Sequence, residues 1–203
     1  MSLDIINQGT IDPSFVENNF TSTQCGVSLS ETLFSYVLEK YLTCNGCGVR
    51  SPSFEHSNFV NITPSYGASM RELIMQGLKL EIFKSCLKCK RDTLHVGSSN
   101  FLQPPRYLII TIGRFENKYG ILTKNRTLIP LDQQITSGPF NFRLQATIDH
   151  HGQFMSSGHY TTSVFCCSKV FYCNDGRVTI YNEDNIRDSH TVYIMIYKLV
   201  NHM

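Results

Sequence analysis

Tryptophan, an excess of charge of one sign and long apolar runs are all missing from this sequence of 203 residues. Basic residues number 18 against 16 acidic ones, and a net charge of +2 does not provide the basic surface that nucleic-acid binders use. No apolar run approaches the roughly 18 residues that span a bilayer, and the first eight residues lack the basic start and apolar core of a signal peptide. We therefore expect a soluble, intracellular protein, cytoplasmic and/or nuclear, with neither nucleic acid nor membrane as a partner.

Cysteine, by contrast, is plentiful, with eight residues in the chain. Without a signal peptide, a disulfide framework is the wrong expectation for a chain of this length. Metal binding or catalysis is the better interpretation of at least some of these thiols. Three of them, Cys166, Cys167 and Cys173, lie on or near predicted strands, and we expect them to pack as small buried residues.

Helical signals are confined to two stretches of the chain. Residues 1–30, rich in Asn, Ser and Thr, predict an irregular lead-in. From Ser28 to Leu42 apolar residues recur at helical spacing after a capping-box signature, which predicts a short helix. Ser69 and Glu72 form a second capping box and predict a helix of about three turns between the cysteine pairs described below.

Strand signals dominate the C-terminal half, where segments rich in β-branched and aromatic residues are separated by Gly, Asn, Asp and Pro. The predicted strands cover residues 106–112, 142–148, 160–166, 170–173, 178–181 and 191–199. Successive strands without long helices between them imply an antiparallel sheet. The predicted fold class is therefore α+β with a β-rich C-terminal half.

Two CxxC pairs, Cys44 with Cys47 and Cys86 with Cys89, are separated by 38 residues. Each pair supplies two thiolates to one side of a metal ion, and two pairs close the tetrahedral four-sulfur shell that suits structural Zn²⁺. A closed shell leaves no open coordination position, so this site would stabilise the fold and not catalyse. Two unrelated pairs of reduced cysteines, or a redox-active CxxC, remain alternatives.

A candidate catalytic constellation lies near the C-terminus. His159 follows a glycine-bearing loop at the start of a predicted strand, and Asn174 and Asp175 end another strand about 15 residues later. If the two strands pair, an imidazole meets a polar side chain that orients it, as a cysteine hydrolase requires. Two plainer alternatives stay open: Asn174-Asp175-Gly176 is also a hairpin-turn signal, and His159 is also typical of an ordinary strand edge.

Together these motifs resemble the ubiquitin-specific proteases, cysteine peptidases of the papain-like superfamily with fingers, palm and thumb subdomains. The motifs that carry the resemblance are Leu33-Phe34, the two CxxC pairs, Pro105-Arg106-Tyr107-Leu108-Ile109-Ile110, Gly113-Arg114-Phe115, Phe142-Arg143-Leu144-Gln145-Ala146, His150-x-Gly152, Gly158-His159-Tyr160, Phe171-Tyr172-Cys173-Asn174-Asp175 and Val192-Tyr193-Ile194-Met195-Ile196-Tyr197. The resemblance implies a domain over about 31–200, with zinc-ribbon fingers over about 40–100 and an antiparallel palm over about 101–200.

The resemblance also implies roles for individual residues. His159 would be the general base, Asn174 the third catalytic member and Asp175 an additional polar orienter. Substrate binding would involve the three residues Gly152, Gly158 and Tyr160. The four cysteines Cys44, Cys47, Cys86 and Cys89 would hold structural zinc. Loops at residues 116–125 and 153–157 would flank a channel for the C-terminal tail of ubiquitin, the implied partner, alone or attached to a protein.

The family's cysteine box, which carries the nucleophile, has no clear counterpart here. Cys25 is the single candidate, but Phe20 stands where the oxyanion-hole Asn is expected, and no thumb fits between Cys25 and Cys44. The sequence therefore resembles palm and fingers lacking most of the helical thumb. Two functions remain open. The first is a thiol-dependent deubiquitinase module, with the nucleophile in Cys25 or on a separate segment. The second is a catalytically inactive homologue that binds ubiquitin or a partner.

Overall fold

The computed structural model describes residues 28–182 and 188–200. These residues form two helices and fourteen strands: α1 (Leu29–Phe34), β1 (Tyr36–Cys44), β2 (Arg50–Ser57), β3 (Phe59–Ile62), α2 (Met70–Gly77), β4 (Lys79–Ser85), β5 (Asp92–Gln103), β6 (Tyr107–Ile112), β7 (Phe115–Lys118), β8 (Ile121–Lys124), β9 (Gln134–Ser137), β10 (Phe140–Phe154), β11 (Ser157–Cys166), β12 (Lys169–Asn174), β13 (Arg177–Asn182) and β14 (Val192–Val200). The predicted lead-in at residues 1–30 falls almost entirely outside the described part of the chain.

The strands form three sheets. The four-stranded finger sheet has the order β2-β1-β5-β4, and β7 pairs with β8 in a separate hairpin. The eight-stranded palm sheet has the order β13-β12-β11-β10-β14-β6-β3, with β9 added beside β10. The predicted α+β class with a mainly antiparallel sheet is confirmed, and the described part of the chain is mostly β-strand with little helix.

The prediction of a helix over residues 28–42 is correct only as far as Phe34. Its capping box forms as predicted, but α1 ends at Phe34 and the chain continues as β1. The apolar positions satisfy a helical period, yet Tyr36, Leu38 and Leu42 are buried at even spacing along a strand. Pairing with β2 on one side and β5 on the other gives β1 a full set of backbone hydrogen bonds, and this tertiary context overrides local periodicity.

The second predicted helix, α2, is confirmed at its start. The Ser69 hydroxyl accepts from the backbone N–H of Glu72, and the Glu72 carboxylate accepts from the backbone N–H of Ser69 at 2.8 Å. The helix buries Met70, Leu73 and Ile74 in the main core. It spans eight residues, about two turns rather than three.

All six strands predicted for the C-terminal half are present; five have bounds within three residues of the prediction, and β10 extends six residues beyond its predicted end. Alternate residues of β6 are buried, as a half-buried sheet requires, and Leu108, Ile110 and, on the neighbouring β14, Tyr197 are fully enclosed. β3 lies at the edge of the palm sheet and pairs in parallel with β6, an arrangement that the sequence did not indicate. Neither described helix is long and apolar enough to cross a membrane.

Candidate functional site

The four predicted metal ligands converge at the tip of the finger sheet. The Sγ atoms of Cys44, Cys47, Cys86 and Cys89 all lie within 4.8 Å of one another. Cys44 and Cys86 are buried, and Cys47 and Cys89 are half-buried. Cys44 ends β1, while Cys86 immediately follows β4, so each hairpin of the finger sheet contributes one pair of thiols.

The two CxxC turns have equivalent backbone geometry. The N–H of Gly48 donates to the carbonyl of Cys44 at 2.8 Å, and the N–H of Lys90 donates to that of Cys86 at 2.9 Å. Gly48 and Lys90 both adopt left-handed backbone, with φ values of 69° and 56°. The backbone N–H of Cys89 is the chief cause that lowers the pKa of the Cys86 thiol to about 5, so one thiolate is available near neutral pH.

This donor set fits a tetrahedral metal ion. Two bonds of about 2.3 Å from zinc place neighbouring sulfur atoms about 3.8 Å apart in a tetrahedron. The Sγ atoms of Cys44 and Cys89 are 4.0 Å apart, and those of Cys47 and Cys86 are 3.7 Å apart. The cluster therefore fits a metal ion with the all-thiolate shell of a structural site.

The predicted pair of His159 and Asn174 is brought together at one end of the β11–β12 hairpin. The two strands are antiparallel neighbours, and Nε2 of His159 lies 2.7 Å from Oδ1 of Asn174. An amide oxygen only accepts hydrogen bonds, so Nε2 carries the proton and Nδ1 keeps its lone pair. This is the tautomer in which the imidazole can take a proton at Nδ1.

Asp175 is not part of this contact in the structure. It is exposed and occupies the two-residue connection between β12 and β13, with φ of 49°. Within the described residues Asp175 makes no hydrogen bond to His159. Asp175 therefore lies in the hairpin turn, and the described contact to His159 is made by Asn174.

A cleft of about 470 Å³ opens on the same face of the palm sheet. His151 and Thr161 line it and share a hydrogen bond of 2.8 Å between Nε2 and Oγ1. The ring of His151 is 6.4 Å from that of His159, so the cleft begins beside the candidate base. Within residues 28–182 and 188–200 no cysteine thiol hydrogen-bonds to His159, and Cys25 lies outside the described residues.

Gly152 and Gly158 pack against a histidine to which the sequence analysis gave no role, His150. A Cβ on Gly158 would lie 2.1 Å from Nε2 of His150, and one on Gly152 would lie 2.8 Å from the carbonyl of Ser157. Both glycines are therefore required by the close approach of β10 and β11. Tyr160 is 53% exposed and stacks beside His150, with ring centroids 4.9 Å apart, so it presents its other side to solvent.

Lys124, in the first of the two loops expected to flank the channel, contacts the strand that leads into the second. Its Nζ lies 3.0 Å from Nδ1 of His150 and donates to the carbonyls of His150 and Gly152 at 2.6 and 3.0 Å. Lys124 ends the β7–β8 hairpin, whereas its partners belong to the β10–β11 hairpin. Burial, with the Lys124 charge as the second cause, lowers the pKa of His150, which is consequently neutral at pH 7.

Arg114 is a second residue whose role the sequence analysis missed. Its fully buried guanidinium donates to four backbone carbonyls, those of Val192, Asn125, Thr127 and Ser189, at 2.6 to 3.1 Å. Burial lowers its pKa to about 10, so the group stays charged at neutral pH. Arg114 belongs to the motif Gly113-Arg114-Phe115, but only the tertiary structure reveals the carbonyls to which its guanidinium donates.

The expectation of buried packing for the last three cysteines is wrong for two of them. Cys166 and Cys167 are exposed, and Cys173 is half-buried. Cys166 ends β11 on its solvent face, and Cys167 begins the tight turn into β12. The predicted strand end at Cys166 is correct, but the residue composition of the segment does not indicate which side chains at that end face solvent.

Comparisons with known proteins agree with this geometry. The model of the family described as ubiquitin carboxyl-terminal hydrolase matches residues 12–197. Human ubiquitin carboxyl-terminal hydrolase 21 is 27% identical over 189 residues, which cover 83% of this chain and 33% of that protein. Ubiquitin hydrolase B of Dictyostelium discoideum is 23% identical over 154 residues, which cover 70% of this chain and 34% of that protein.

Solved structures share the fold. The SAGA Ubp8/Sgf11/Sus1/Sgf73 DUB module bound to ubiquitin aldehyde superposes with a TM-score of 0.74 at 16% identity, over 94% of this chain and 48% of the matched chain. The yeast SAGA DUB module with a mutant Sgf73 gives a TM-score of 0.75 at 16% identity, over 96% and 47%. The chain thus spans about a third of the curated relatives and about half of the solved chains. Since the family model matches most of its length, the chain belongs to the ubiquitin carboxyl-terminal hydrolase family.

Proposed function

We propose that this chain acts in thiol-dependent deubiquitination, hydrolysing peptide or isopeptide bonds at the C-terminus of ubiquitin. The observation that carries the proposal is the 2.7 Å contact between His159 Nε2 and Asn174 Oδ1, which leaves Nδ1 as the proton acceptor. The exposed position of His159 beside the cleft leaves space for a thiol and a substrate carbonyl.

In this mechanism Nδ1 of His159 takes the proton of a cysteine thiol. The thiolate then attacks the carbonyl of the ubiquitin C-terminus, and the imidazolium returns its proton to the departing amine. Water, activated by the same Nδ1, then attacks the thioester carbonyl, which breaks the C–S bond and frees the ubiquitin carboxylate and the cysteine thiol. Asn174 keeps the imidazole in the required tautomer and orientation through both half-reactions.

The thiol is proposed to come from Cys25 or from a separate polypeptide segment that docks beside His159. The sequence supports Cys25 only by its position ahead of the fingers, since the residues around it do not match a cysteine box. A docked segment is supported by the cleft next to His151, which is open on the face of the palm sheet.

Ubiquitin is the proposed partner, free or attached to a protein. The finger sheet supports a protein partner because Phe83 and Leu94, which face each other on neighbouring strands, are 71% and 37% exposed. We further propose that the finger cysteines hold zinc, which when bound would join the two finger hairpins, and that the protein works in the cytoplasm and/or the nucleus. The unpaired thiols of the described residues suit those reducing compartments.

The test uses the full chain with two ubiquitin reagents, one carrying a C-terminal fluorophore and one carrying a thiol-reactive group. We expect fluorophore release, and peptide mapping of the labelled adduct will identify the nucleophile.

His159→Ala is expected to lower the rate of fluorophore release by about 10² to 10⁴, the usual contribution of a general base, whereas His56→Ala on exposed β2 should leave that rate unchanged. Absence of both release and labelling would overturn the proposed activity, and ubiquitin binding retained in that case would identify an inactive binding homologue.

A further inference from the structure

Two adjacent thiols stand exposed at the end of the β11–β12 hairpin opposite His159. Cys166 and Cys167 are both solvent-accessible, and their Sγ atoms lie 3.2 Å apart. They belong to the β11–β12 hairpin, in which Cys166 pairs with Lys169 across a two-residue turn of Cys167 and Ser168. Neither thiol takes part in the finger cluster or in the proposed chemistry at His159.

The backbone of this turn is unfavourable for the residues that occupy it. Cys167 and Ser168 have φ values of 54° and 59°, and left-handed backbone costs a residue with a side chain roughly 1–2 kcal/mol. Asn-Gly or Gly-Gly would fit such a turn at lower cost. A strained turn that holds two exposed sulfur atoms together is the kind of local outlier that points to a function.

Geometry distinguishes the chemistries open to the pair. Adjacent Cα atoms are about 3.8 Å apart, shorter than the roughly 4.4–6.8 Å of ordinary disulfides, so an S–S bond here would be strained and easily reduced. A tetrahedral metal with bonds of about 2.3 Å needs sulfur atoms about 3.8 Å apart. The Sγ atoms of Cys166 and Cys167 are only 3.2 Å apart. With bonds of about 2.3 Å, this separation gives an S–centre–S angle of about 90° at an atom bound to both. That angle suits a pyramidal, trivalent soft centre, whereas the finger cysteines suit a tetrahedral one.

We propose that Cys166 and Cys167 form a surface dithiol site that binds one trivalent centre of the arsenical class. In the reaction with an arsenoxide, two S–H bonds and one As–O double bond break, two As–S bonds form, and the oxygen leaves as water with both thiol protons. Arsenic stays trivalent, so no oxidant or reductant is needed. The contact between the two thiols raises the pKa of Cys166, which keeps the proton of that thiol in place at neutral pH.

Phenylarsine oxide added to the zinc-loaded chain tests the proposal, with intact-mass spectrometry and a measurement of zinc release. We expect one phenylarsenic adduct per chain without zinc release. Excess monothiol should leave the adduct in place, and a 1,2-dithiol should remove it. Cys167→Ser should weaken adduct formation at least tenfold, because one thiol cannot chelate.

Cys173→Ser is the matched control, since Cys173 lies on β12 outside the turn and its half-buried thiol contacts the carbonyl of Phe171 at 3.8 Å. This variant should form the adduct as the unmodified chain does. The proposal fails if Cys167→Ser keeps the adduct, if the unmodified chain takes none, or if adduct formation is matched by zinc release, which would assign the arsenical to the finger cysteines.

Discussion

Replacing Gly158 by alanine adds a methyl group where the structure leaves no room for one. The added Cβ would lie 2.1 Å from Nε2 and 2.8 Å from Cδ2 of His150, and 2.9 Å from the carbonyl oxygen of His151. Relaxed contacts between such atoms need about 3.5 Å or more, so the ring or the strand must move by more than an ångström.

Neither partner moves freely. The ring of His150 is 1% exposed, is held by Lys124 at Nδ1 and lies between the rings of Phe115, Tyr160 and Tyr193. Overpacking of this kind costs about 1–3 kcal/mol, and the rigid surroundings place Gly158→Ala near the upper end. For a chain of this length a loss of about 3 kcal/mol lowers the melting temperature by roughly 6–12 °C.

Urea unfolding and thermal melting measure the effect against Gly176→Ala. Gly176 lies at the same end of the palm sheet in the β12–β13 turn, has no left-handed φ and has open space within 4 Å of its Cβ position. A double variant with His150→Ala removes the obstructing ring, so the combined cost should be well below the sum of the two single costs. Equal destabilisation by Gly158→Ala and Gly176→Ala, or strict additivity with His150→Ala, would refute the steric reasoning.

Three further outcomes are expected. Arg114→Met should lower the free energy of unfolding by about 3–5 kcal/mol, because it removes a buried charged donor shared by four backbone carbonyls, while Arg71→Met on the exposed side of α2 should change it by less than about 0.5 kcal/mol in urea titrations. Metal chelation should speed hydrogen exchange across the finger sheet and leave the palm sheet protected; unchanged exchange in the fingers would argue against a structural metal. The lowered pKa of His150 means that the unfolded state takes up a proton more readily than the folded state, so stability should fall as the pH drops below about 6.5. His150→Gln should make that slope shallower between about pH 7 and pH 5, and an unchanged slope would show that other groups set it.

Features encoded locally were predictable from the sequence. The capping box of Ser69 and Glu72 forms because its contacts span three residues, and the six C-terminal strands follow from segments rich in β-branched and aromatic residues between turn residues. The CxxC spacing predicted a cluster because each pair needs only one turn to present two sulfur atoms. His159 and Asn174 were placed together by assuming one strand pairing, which the structure confirms.

Features that depend on strand register were not predictable in this way. Lys124 reaches Gly152 only because the β7–β8 hairpin folds against the β10–β11 hairpin, 28 residues further along the chain. The apolar spacing of β1 predicts a helix, because the burial of this strand depends on partners at residues 50–57 and 92–103. The periodicity of one segment contains no information about such partners. Helix and strand are both locally acceptable for this segment, and long-range pairing decides between them.

The layout of the fingers also bears on how the chain reaches its folded state. The β1–β2 and β4–β5 hairpins can each form alone, but they join only through β1 with β5 and through thiols that come from both. Isolated two-stranded hairpins are marginal in water, and closing the 38 residues between Cys47 and Cys86 costs chain entropy. With the proposed zinc, metal supply during synthesis would set a kinetic partition: a loaded chain would close its finger sheet, whereas an unloaded one would leave the edges of β1 and β5 open to pair with neighbouring molecules.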